Sequence, residues 1–274
     1  MVVRALMKNK MAVIGMIILL VLFFVGVFAP LIAPYGYAEQ DLQGTFQHPN
    51  AQHWFGTDKF GRDIFSRVIY GARVSLLVGF IAVGIAVVIG GALGAISGYY
   101  EGKIDNVIMR VMDIIMAIPN VLLAIAIVAT LGTGLTNMMI ALGISAIPRF
   151  ARVVRATTLT IRREEYIEAA VASGVSDFQI ITMHILPNCL PPLIVQISLG
   201  VADAILMAAG LSFIGLGIQP PDPEWGSMLS EGRQYIRGWA YMTYFPGLAI
   251  VLTALSLNLL GDGLRDALDP KMKN

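Results

Sequence analysis

The residues of this chain that could do chemistry are mainly ionisable side chains set in apolar surroundings. Asp113 and Asp203 are carboxylates within long apolar runs, where they could couple to an ion or line a polar path. A carboxylate at the centre of a membrane span costs about 2.5 to 3.5 kcal/mol, so Asp203 should face protein or water and not lipid. Two interpretations stay open: Asp203 lines a pathway, with Ser212 as a further candidate, or an intersubunit hydrogen bond holds it.

A second group of candidates lies in the polar segment of residues 35–70. Arg62 and Asp63 predict either a buried pair that orders this loop or a contact with a soluble partner. The structural pair is favoured because paired charges in membrane proteins are often architectural. His48 and His53 could suggest a metal site, but two histidines at this spacing, without a carboxylate or thiol between them, are more typical of loop residues.

The sequence contains no catalytic motif that we recognise. Gly102-Lys103 is followed by Ile104 and lacks a glycine five residues before Gly102, so there is no P-loop to bind ATP. Neither His-Glu-x-x-His nor Gly-x-Ser-x-Gly is present. Cys189 is the single cysteine and stands in an apolar stretch, which predicts a packing residue. We therefore expect no enzyme activity, and no cofactor or metal bound by this chain.

Composition places these residues in an all-α integral membrane protein. Of the 274 residues, 57% are hydrophobic and 14% charged, and the mean hydropathy is +0.74. The net charge of +1 argues against a nucleic-acid-binding function, which needs a basic stripe.

Six apolar segments are predicted to cross the membrane as helices. They are residues 11–33, 74–100, 107–131, 137–150, 193–218 and 244–260. The first is longer than a signal-peptide core of about 7 to 15 residues and ends at Pro30 and Pro34, so we interpret it as a span. The fourth is short, so that either Arg149 snorkels to the headgroups or the helix continues into the cytoplasm.

Two of these spans carry patterns that predict their packing. In the third span, Arg110 and Asp113 lie three positions apart and should pair with each other. Along the second span, small residues recur every four positions and make a smooth face for a neighbouring helix. These small residues are Ala82, Ala86, Gly90, Gly94 and Gly98.

The distribution of basic residues sets the predicted orientation. Thirteen of the nineteen Lys and Arg residues fall on one side, which is therefore cytoplasmic, and six on the other. This places both termini and residues 161–187 in the cytoplasm. Residues 219–241 lie outside, and their aromatic residues predict an outer aromatic belt or a surface for a soluble partner. These are Trp225, Tyr235, Trp239 and Tyr241.

Residues 161–187 form the one long polar-edged helical segment of the chain. Glu164 and Glu165 supply the negative charge that a helix N-terminus favours, and Gly174 can adopt the left-handed conformation that caps a C-terminus. Small residues before Gly174 give this first helix a surface that another protein can approach closely.

A second helix is predicted directly after Gly174. Ser176 and Gln179, three positions apart, form the pattern of a capping box, and Pro187 should end the helix. The result is a hairpin of two helices joined by a tight turn.

Three motifs mark this hairpin: Glu168-Ala169-Ala170, then Gly174, then His184-Ile185-Leu186-Pro187. They resemble the EAA loop in membrane subunits of binding-protein-dependent ABC importers. The commonest family pattern has Ile in place of His184, although a His-Ile-Leu-Pro ending is familiar in the peptide and nickel branch. The resemblance implies that the first helix is a coupling helix that docks in a groove of an ATPase subunit. The alternative is an ordinary amphipathic helix at the membrane interface. The implied coupling residues are Glu165, Tyr166, Glu168, Ala169, Ala170, Ser173 and Gly174.

Residues 55–76 hold a second group of closely spaced glycines and charges. Its motif residues are Gly56, Asp58, Gly61, Arg62, Asp63 and Arg67. This block resembles a segment of the C-type dipeptide and oligopeptide permease subunits, and further similar blocks extend to the C-terminus. We therefore divide the chain into residues 1–73, an N-terminal span plus extracytoplasmic loop, and residues 74–270, a permease core of five spans with the coupling hairpin at 161–187.

The resemblance implies a type I ABC importer permease fold with six transmembrane helices in the bacterial inner membrane. It also implies a second permease subunit that completes a heterodimer, an extracytoplasmic solute-binding protein, and two ATPase subunits that use ATP and Mg. Relatives of this type carry dipeptides, oligopeptides, glutathione or nickel chelates, and peptide is favoured as the commonest cargo.

Two other classes stay open from the residues alone. A secondary transporter would use Asp113 and Asp203 as ion-coupled carboxylates, although the internal repeats typical of such proteins are not found. A non-transporting assembly subunit would leave the long polar hairpin without an explanation.

Overall fold

The computed structural model describes residues 6–268, which fold almost entirely into helices. Within these residues the β-type pairing is one isolated bridge between Thr57 and Asp63. The predicted end of the permease core, residue 270, lies outside the described residues. Three of the predicted cytoplasmic charges also lie outside them: Arg4, Lys271 and Lys273.

The all-α prediction is confirmed. The helices are α1 (Lys10–Val27), α2 (Ala29–Ile32), α3 (Ile64–Tyr100), α4 (Gly102–Met116), α5 (Asn120–Leu131), α6 (Leu135–Ile161), α7 (Glu165–Ala172), α8 (Asp177–Phe213), α9 (Trp225–Gly232) and α10 (Tyr241–Leu268). Among them α1, α3, α6, α8 and α10 are long and apolar enough to cross a membrane. The bent pair of α4 and α5 gives a sixth span if the two count as one.

The third predicted span is broken and is not one straight helix. α4 and α5 meet at 87°, with Pro119 in an extended conformation directly before α5. Proline lacks the N–H that a continuous helix needs and disfavours a helical residue before it, so the chain turns there. The break brings the start of α5 to the side of α6.

Two other helices are longer than predicted. α3 begins at Ile64, ten residues before the predicted start of the second span, because the Asp63 carboxylate caps it by accepting from Ser66 N at 2.7 Å. The predicted domain boundary at residue 73 therefore falls inside α3. α6 runs on to Ile161, as in the interpretation in which the fourth span continues past the membrane.

The prediction that Pro187 ends the second hairpin helix is wrong. α8 is continuous from Asp177 to Phe213 and contains a π-helical segment, Ile180–Ile185, just before the proline. The wider π turn, in which Leu186 N donates to Ile181 O, lets the helix pass Pro187 without stopping. The second arm of the hairpin and the fifth span are therefore one rod.

The predicted packing face of α3 is confirmed, and its partner is α6. Its five small residues are buried. A Cβ added to Gly94 would lie 2.3 Å from Ala151 O, and one added to Gly90 would lie 2.6 Å from Ile147 O. Only glycine lets the two backbones approach this closely. α3 and α6 therefore form the central pair of the fold, while α1 packs at its edge against α10.

Candidate functional site

The hairpin of residues 161–187 forms through local caps. Gly174 has φ +76°, the left-handed conformation expected of a C-terminal cap, and its N–H donates to Val171 O at 3.0 Å. Ser176 and Gln179 form the predicted capping box at the start of α8. The turn between α7 and α8 is therefore tight and defined by its own sequence.

Contacts at the inner end of α3 hold the hairpin in place. Ile167 of α7 is buried in the helical core. Tyr99 Oη donates to Asp177 Oδ1 at 2.7 Å, and Arg162 Nη1 lies 2.7 Å from Glu101 Oε1. The start of the hairpin at Arg162 and the start of its second arm at Asp177 are thus both tied to the C-terminal end of α3, and the second arm continues directly into the fifth span.

The opposite face of the hairpin is open. Of the seven implied coupling residues, all are exposed except Ala170, which is half-buried. Val171 is also exposed, and Phe178, which sequence reasoning missed, is 75% exposed at the tip. Its ring is more exposed than the other open apolar side chains of the hairpin, Met183, Val171 and Tyr166, and together they mark a contact surface. The position of Phe178 inside the capping box, between Ser176 and Gln179, was the available signal.

The polar loop of residues 35–63, called the outer loop here after its predicted side of the membrane, is held by a buried cluster of four charges. Arg62 Nε lies 2.6 Å from Asp58 Oδ2, and Arg67 Nη1 lies 2.7 Å from the same oxygen. Both guanidinium groups also reach Glu231 Oε2, at 3.0 and 3.1 Å. The predicted Arg62–Asp63 pair is wrong, because Arg62 takes both of its acidic partners elsewhere. Glu231, which sequence reasoning missed, is 169 residues away in α9.

The remaining residues of the outer motif fix the loop backbone. Asp63 caps α3, and its Oδ1 is hydrogen-bonded to His53 Nδ1 at 2.9 Å. Gly56 and Gly61 have φ +78° and +72°, and a Cβ on Gly61 would lie 1.8 Å from Asp41 O. Within the described residues no group of three or more His, Cys, Asp or Glu side chains could hold a metal ion.

One of the aromatic residues predicted to form an outer belt is instead packed in the interior of the protein. Trp225 is fully buried and donates from Nε1 to Val68 O at 3.0 Å, which corrects the belt prediction for this residue. Glu224 caps α9 by accepting from the N–H groups of Gly226 and Ser227, at 2.9 and 2.8 Å. Burial raises the pKa of the Glu224 carboxyl, and these two N–H groups oppose the rise.

Three arginines along α6 each meet an acidic residue from another helix. Arg149 pairs with Asp203 of α8, and Arg152 Nη2 lies 2.7 Å from Asp113 Oδ1 of α4. The predicted Arg110–Asp113 pair is therefore wrong. The third pair joins Arg155 Nε to Asp105 Oδ1 at 2.5 Å.

The two pathway candidates lie in different surroundings. Asp203 borders a cleft of about 260 Å³ between α6 and α8, and its ion-pair partner Arg149 belongs to the same chain. Arg149 therefore contacts protein instead of snorkelling to headgroups. Ser212 is buried near one end of α8, where its Oγ lies 3.9 Å from Met138 Sδ.

Comparison with known proteins agrees with this arrangement. Residues 90–274 match the family described as binding-protein-dependent transport system inner membrane component, and residues 1–49 match the N-terminal TM domain of oligopeptide transport permease C. The chain is 52% identical over 271 residues to the dipeptide transport system permease protein DppC of Alkalihalophilus pseudofirmus, covering 99% of this chain and 89% of the relative. It is 48% identical to the glutathione transport system permease protein GsiD of Escherichia coli, covering 98% and 89%.

The fold also matches a solved structure. A chain of the MetNI methionine ABC transporter, solved in inward-facing conformations, superimposes with a TM-score of 0.61 at 21% identity, over 74% of this chain and 96% of that one. With its apolar helices, this is a multi-pass protein of the bacterial inner membrane. The chain belongs to the binding-protein-dependent transport system inner membrane component family, the permease subunits of ABC importers.

Proposed function

We propose that this chain carries peptides as one of two permease subunits of its importer, and that the hairpin of residues 161–187 couples it to the ATPases. A dipeptide permease is 52% identical to it over nearly the whole chain, which supports a peptide as the solute. A glutathione permease is 48% identical, so glutathione, itself a small peptide, is the second candidate. Family membership decides against the ion-coupled secondary transporter that the sequence alone left open.

The observation that supports the coupling role is the division of the hairpin into a held face and an open face. Ile167 is buried on one side of α7, and the Tyr99–Asp177 hydrogen bond ties the start of α8 to α3. On the other side, Ala169 is exposed and Glu168 lines a cleft of about 590 Å³. A displacement of the hairpin by a bound partner would also move the membrane-spanning part of α8, because α8 is one continuous helix from Asp177 through Pro187 to Phe213. Rigid secondary-structure elements are among the physical carriers of coupling between distant sites.

The proposed assembly follows from what the chain lacks and what its family implies. The sequence has no P-loop, so two separate ATPase subunits would bind ATP and Mg. A second, related permease subunit would complete the path, and an extracytoplasmic binding protein would deliver the solute. In this arrangement residues 1–73 supply an edge span and the outer loop, and residues 74–270 the core.

The coupling role is tested in proteoliposomes that hold the whole complex, with the binding protein and ATP supplied. We expect Glu168→Lys and Ala169→Trp, both at exposed positions, to abolish peptide uptake and weaken ATPase association while the permease still inserts and pairs. Lys103→Glu, a charge reversal at an exposed position on the same side of the fold, serves as the matched control. Wild-type uptake in both hairpin variants would refute the coupling role and favour an ordinary interfacial helix.

The solute is tested separately, by measuring which ligand the cognate binding protein holds and which one the complex accumulates. Uptake of alanyl-alanine that needs both ATP and the binding protein supports the peptide assignment. Uptake of glutathione alone would move the assignment to the second candidate.

A further inference from the structure

Arg149 and Asp203 form an ion pair between two apolar helices, at about the middle of the membrane. Asp203 is ten residues from the end of α8 at Phe213, or roughly 15 Å at 1.5 Å per residue, and the hydrocarbon core is about 30 Å thick. The two side chains are 44% and 55% exposed on the surface of this chain. Charged groups at this depth are too costly to face lipid, so this surface must meet protein or water.

The pair borders a cleft whose other walls leave space for a small solute. Gly200 and Ala204 of α8 have small side chains that leave space beside Asp203, and Ser145 of α6 adds a hydroxyl group to the lining. Asn120, at the start of α5, adds an amide to the rim where the third span is broken. The cleft is about 260 Å³ in this chain alone and lies open on one side, where the second permease subunit would complete it.

We propose that Arg149 and Asp203 form a binding station for the two charged ends of a peptide as it crosses. The inference rests on the proposed function. The guanidinium group would bind the α-carboxylate of the solute, and the Asp203 carboxylate would bind its α-ammonium. A simple dipeptide carries one of each group and is neutral, whereas glutathione carries a second carboxylate, so the station favours a dipeptide over glutathione.

Charge accounting supports a zwitterion as the occupant. In the empty chain Arg149 and Asp203 neutralise each other, and an inserted zwitterion replaces one ion pair by two while the total charge remains zero. The charged ends of a dipeptide are separated by roughly 7 Å at most, at about 3.5 Å per residue. The long Arg149 side chain would have to swing away from Asp203 to admit this length. In the empty chain Gln196 stands beside the same guanidinium group, and its amide oxygen can accept from Arg149 Nη2 at 3.0 Å.

The neighbouring pair on α6 provides a matched comparison. Arg152 and Asp113 are exposed to a similar extent, 48% and 50%, but they line a different cleft beside α4, with Arg110 and Arg155 close by. That second cleft carries an excess of basic groups and does not border α8. A zwitterion is therefore expected to need Arg149 and Asp203 but not Arg152 and Asp113.

The experiment measures weak binding directly, without the binding protein. The intact complex of both permease subunits and the ATPases is placed in nanodiscs, and saturation-transfer NMR records the signal of alanyl-alanine, N-acetyl-alanyl-alanine and alanyl-alanine amide. We expect binding of alanyl-alanine to the wild type, and about tenfold weaker binding or more when either end is blocked, since each charged hydrogen bond contributes 1.4 kcal/mol or more.

The variants then assign each charge. Asp203→Asn should weaken the binding of alanyl-alanine by about tenfold, and alanyl-alanine should no longer bind more tightly than its N-acetyl derivative. In Arg149→Gln, alanyl-alanine should no longer bind more tightly than alanyl-alanine amide. Arg149→Lys should retain part of the binding, and Arg152→Gln with Asp113→Asn should retain all of it. Size-exclusion chromatography confirms that each complex is assembled.

Two results would overturn the station. One is equal binding of free and end-blocked peptides to the wild type, and the other is an unchanged preference in Asp203→Asn and Arg149→Gln. If either result is obtained while wild-type complexes still accumulate alanyl-alanine with ATP and the binding protein, the station fails and the proposed function stands. If they accumulate no peptide at all, the proposed function itself fails.

Discussion

The ion pairs of the outer loop and those along α6 differ in how deeply they are buried. At the outer loop, Arg62 and Arg67 are almost fully buried and share Asp58 and Glu231 as partners. Along α6, pairs such as Arg152–Asp113 are about half exposed. A buried pair is costly to break, whereas an exposed pair contributes little to folding. The outer end is therefore completed by its own chain, and the inner surfaces are left available to neighbours.

The aromatic residues repeat this contrast. Trp225 of the outer region is fully buried, fills the space beside Gly71 and has its N–H satisfied by Val68 O. Phe178 of the hairpin is 75% exposed, with no comparable pocket around its ring. The outer region is therefore packed within its own chain, and the exposed ring of the hairpin is where the proposed coupling role requires a contact with another subunit.

The largest effect is expected from opening the outer charge cluster. Arg67→Ala leaves Asp58 and Glu231 with one buried cation fewer, which should lower the free energy of unfolding by about 3 to 5 kcal/mol. Thermal unfolding of the detergent-solubilised protein measures it. Arg73→Ala, at an exposed position on the same helix, is the control and should unfold like the wild type. Equal unfolding temperatures for both variants would show that the cluster does not hold the outer end.

The seam between α3 and α6 joins the two ends, and overpacking it should have the next largest effect. A Cβ at Gly94 meets the backbone oxygen of Ala151, which cannot move aside, so Gly94→Ala should cost about 1 to 3 kcal/mol. Gly84 lies on the same helix with nothing within 4 Å of a Cβ, so Gly84→Ala should be neutral or stabilising. Comparison of the two unfolding curves is the test, and a tolerated Gly94→Ala would mean that the helices can separate freely.

The hairpin should respond differently, losing association before it loses stability. Phe178→Ala removes an exposed ring, so the unfolding temperature should stay the same, while binding of the ATPase subunits should weaken about tenfold or more if the ring is fully buried in the complex. Co-purification at graded ATPase concentrations measures this. Phe24→Ala, at a ring on α1 that is 57% exposed, is the control and should leave association unchanged.

Sequence reasoning succeeded where a feature is local and failed where it depends on distant contacts. The capping box at Ser176 and the turn at Gly174 lie within a few residues of their partners, so their patterns predicted them correctly. Arg62 pairs with Glu231, 169 residues away, whereas the sequence predicted its neighbour Asp63 as its partner. Arg149 pairs with Asp203, 54 residues away, and the sequence predicted no partner for it. Such pairings are decided by helix packing, which periodicity does not specify.

Proline shows the same limit in another form. Pro119 and Pro187 were both visible in the sequence, yet the first breaks a span by 87° and the second is absorbed by a π turn within a continuous helix. The residue type signals a disturbance in the helix. Whether the chain bends or continues depends on the surrounding packing, because neighbouring helices can compensate for the missing hydrogen bond.

A moderate effect is expected at the turn of the hairpin. Gly174→Ala has open space around its Cβ, so the cost comes from the left-handed backbone alone, about 1 to 2 kcal/mol, and should appear as local fraying of α7. Hydrogen exchange of the amides of α7 measures it. Gly174→Asn, which tolerates this conformation better, should fray less, and equal protection in all three proteins would contradict the account.

The smallest effect is expected at the exposed pair on α6, and it completes the comparison with the outer cluster. Arg152 and Asp113 are close, at 2.7 Å, but half of each side chain is exposed, so solvent screens their attraction. A double-mutant cycle with Arg152→Gln and Asp113→Asn should give a coupling energy below about 1 kcal/mol, and raising the salt concentration should reduce it further. A coupling as large as that expected of the outer cluster would mean that this pair is shielded by neighbouring protein, and the inner surface would then be as self-contained as the outer one.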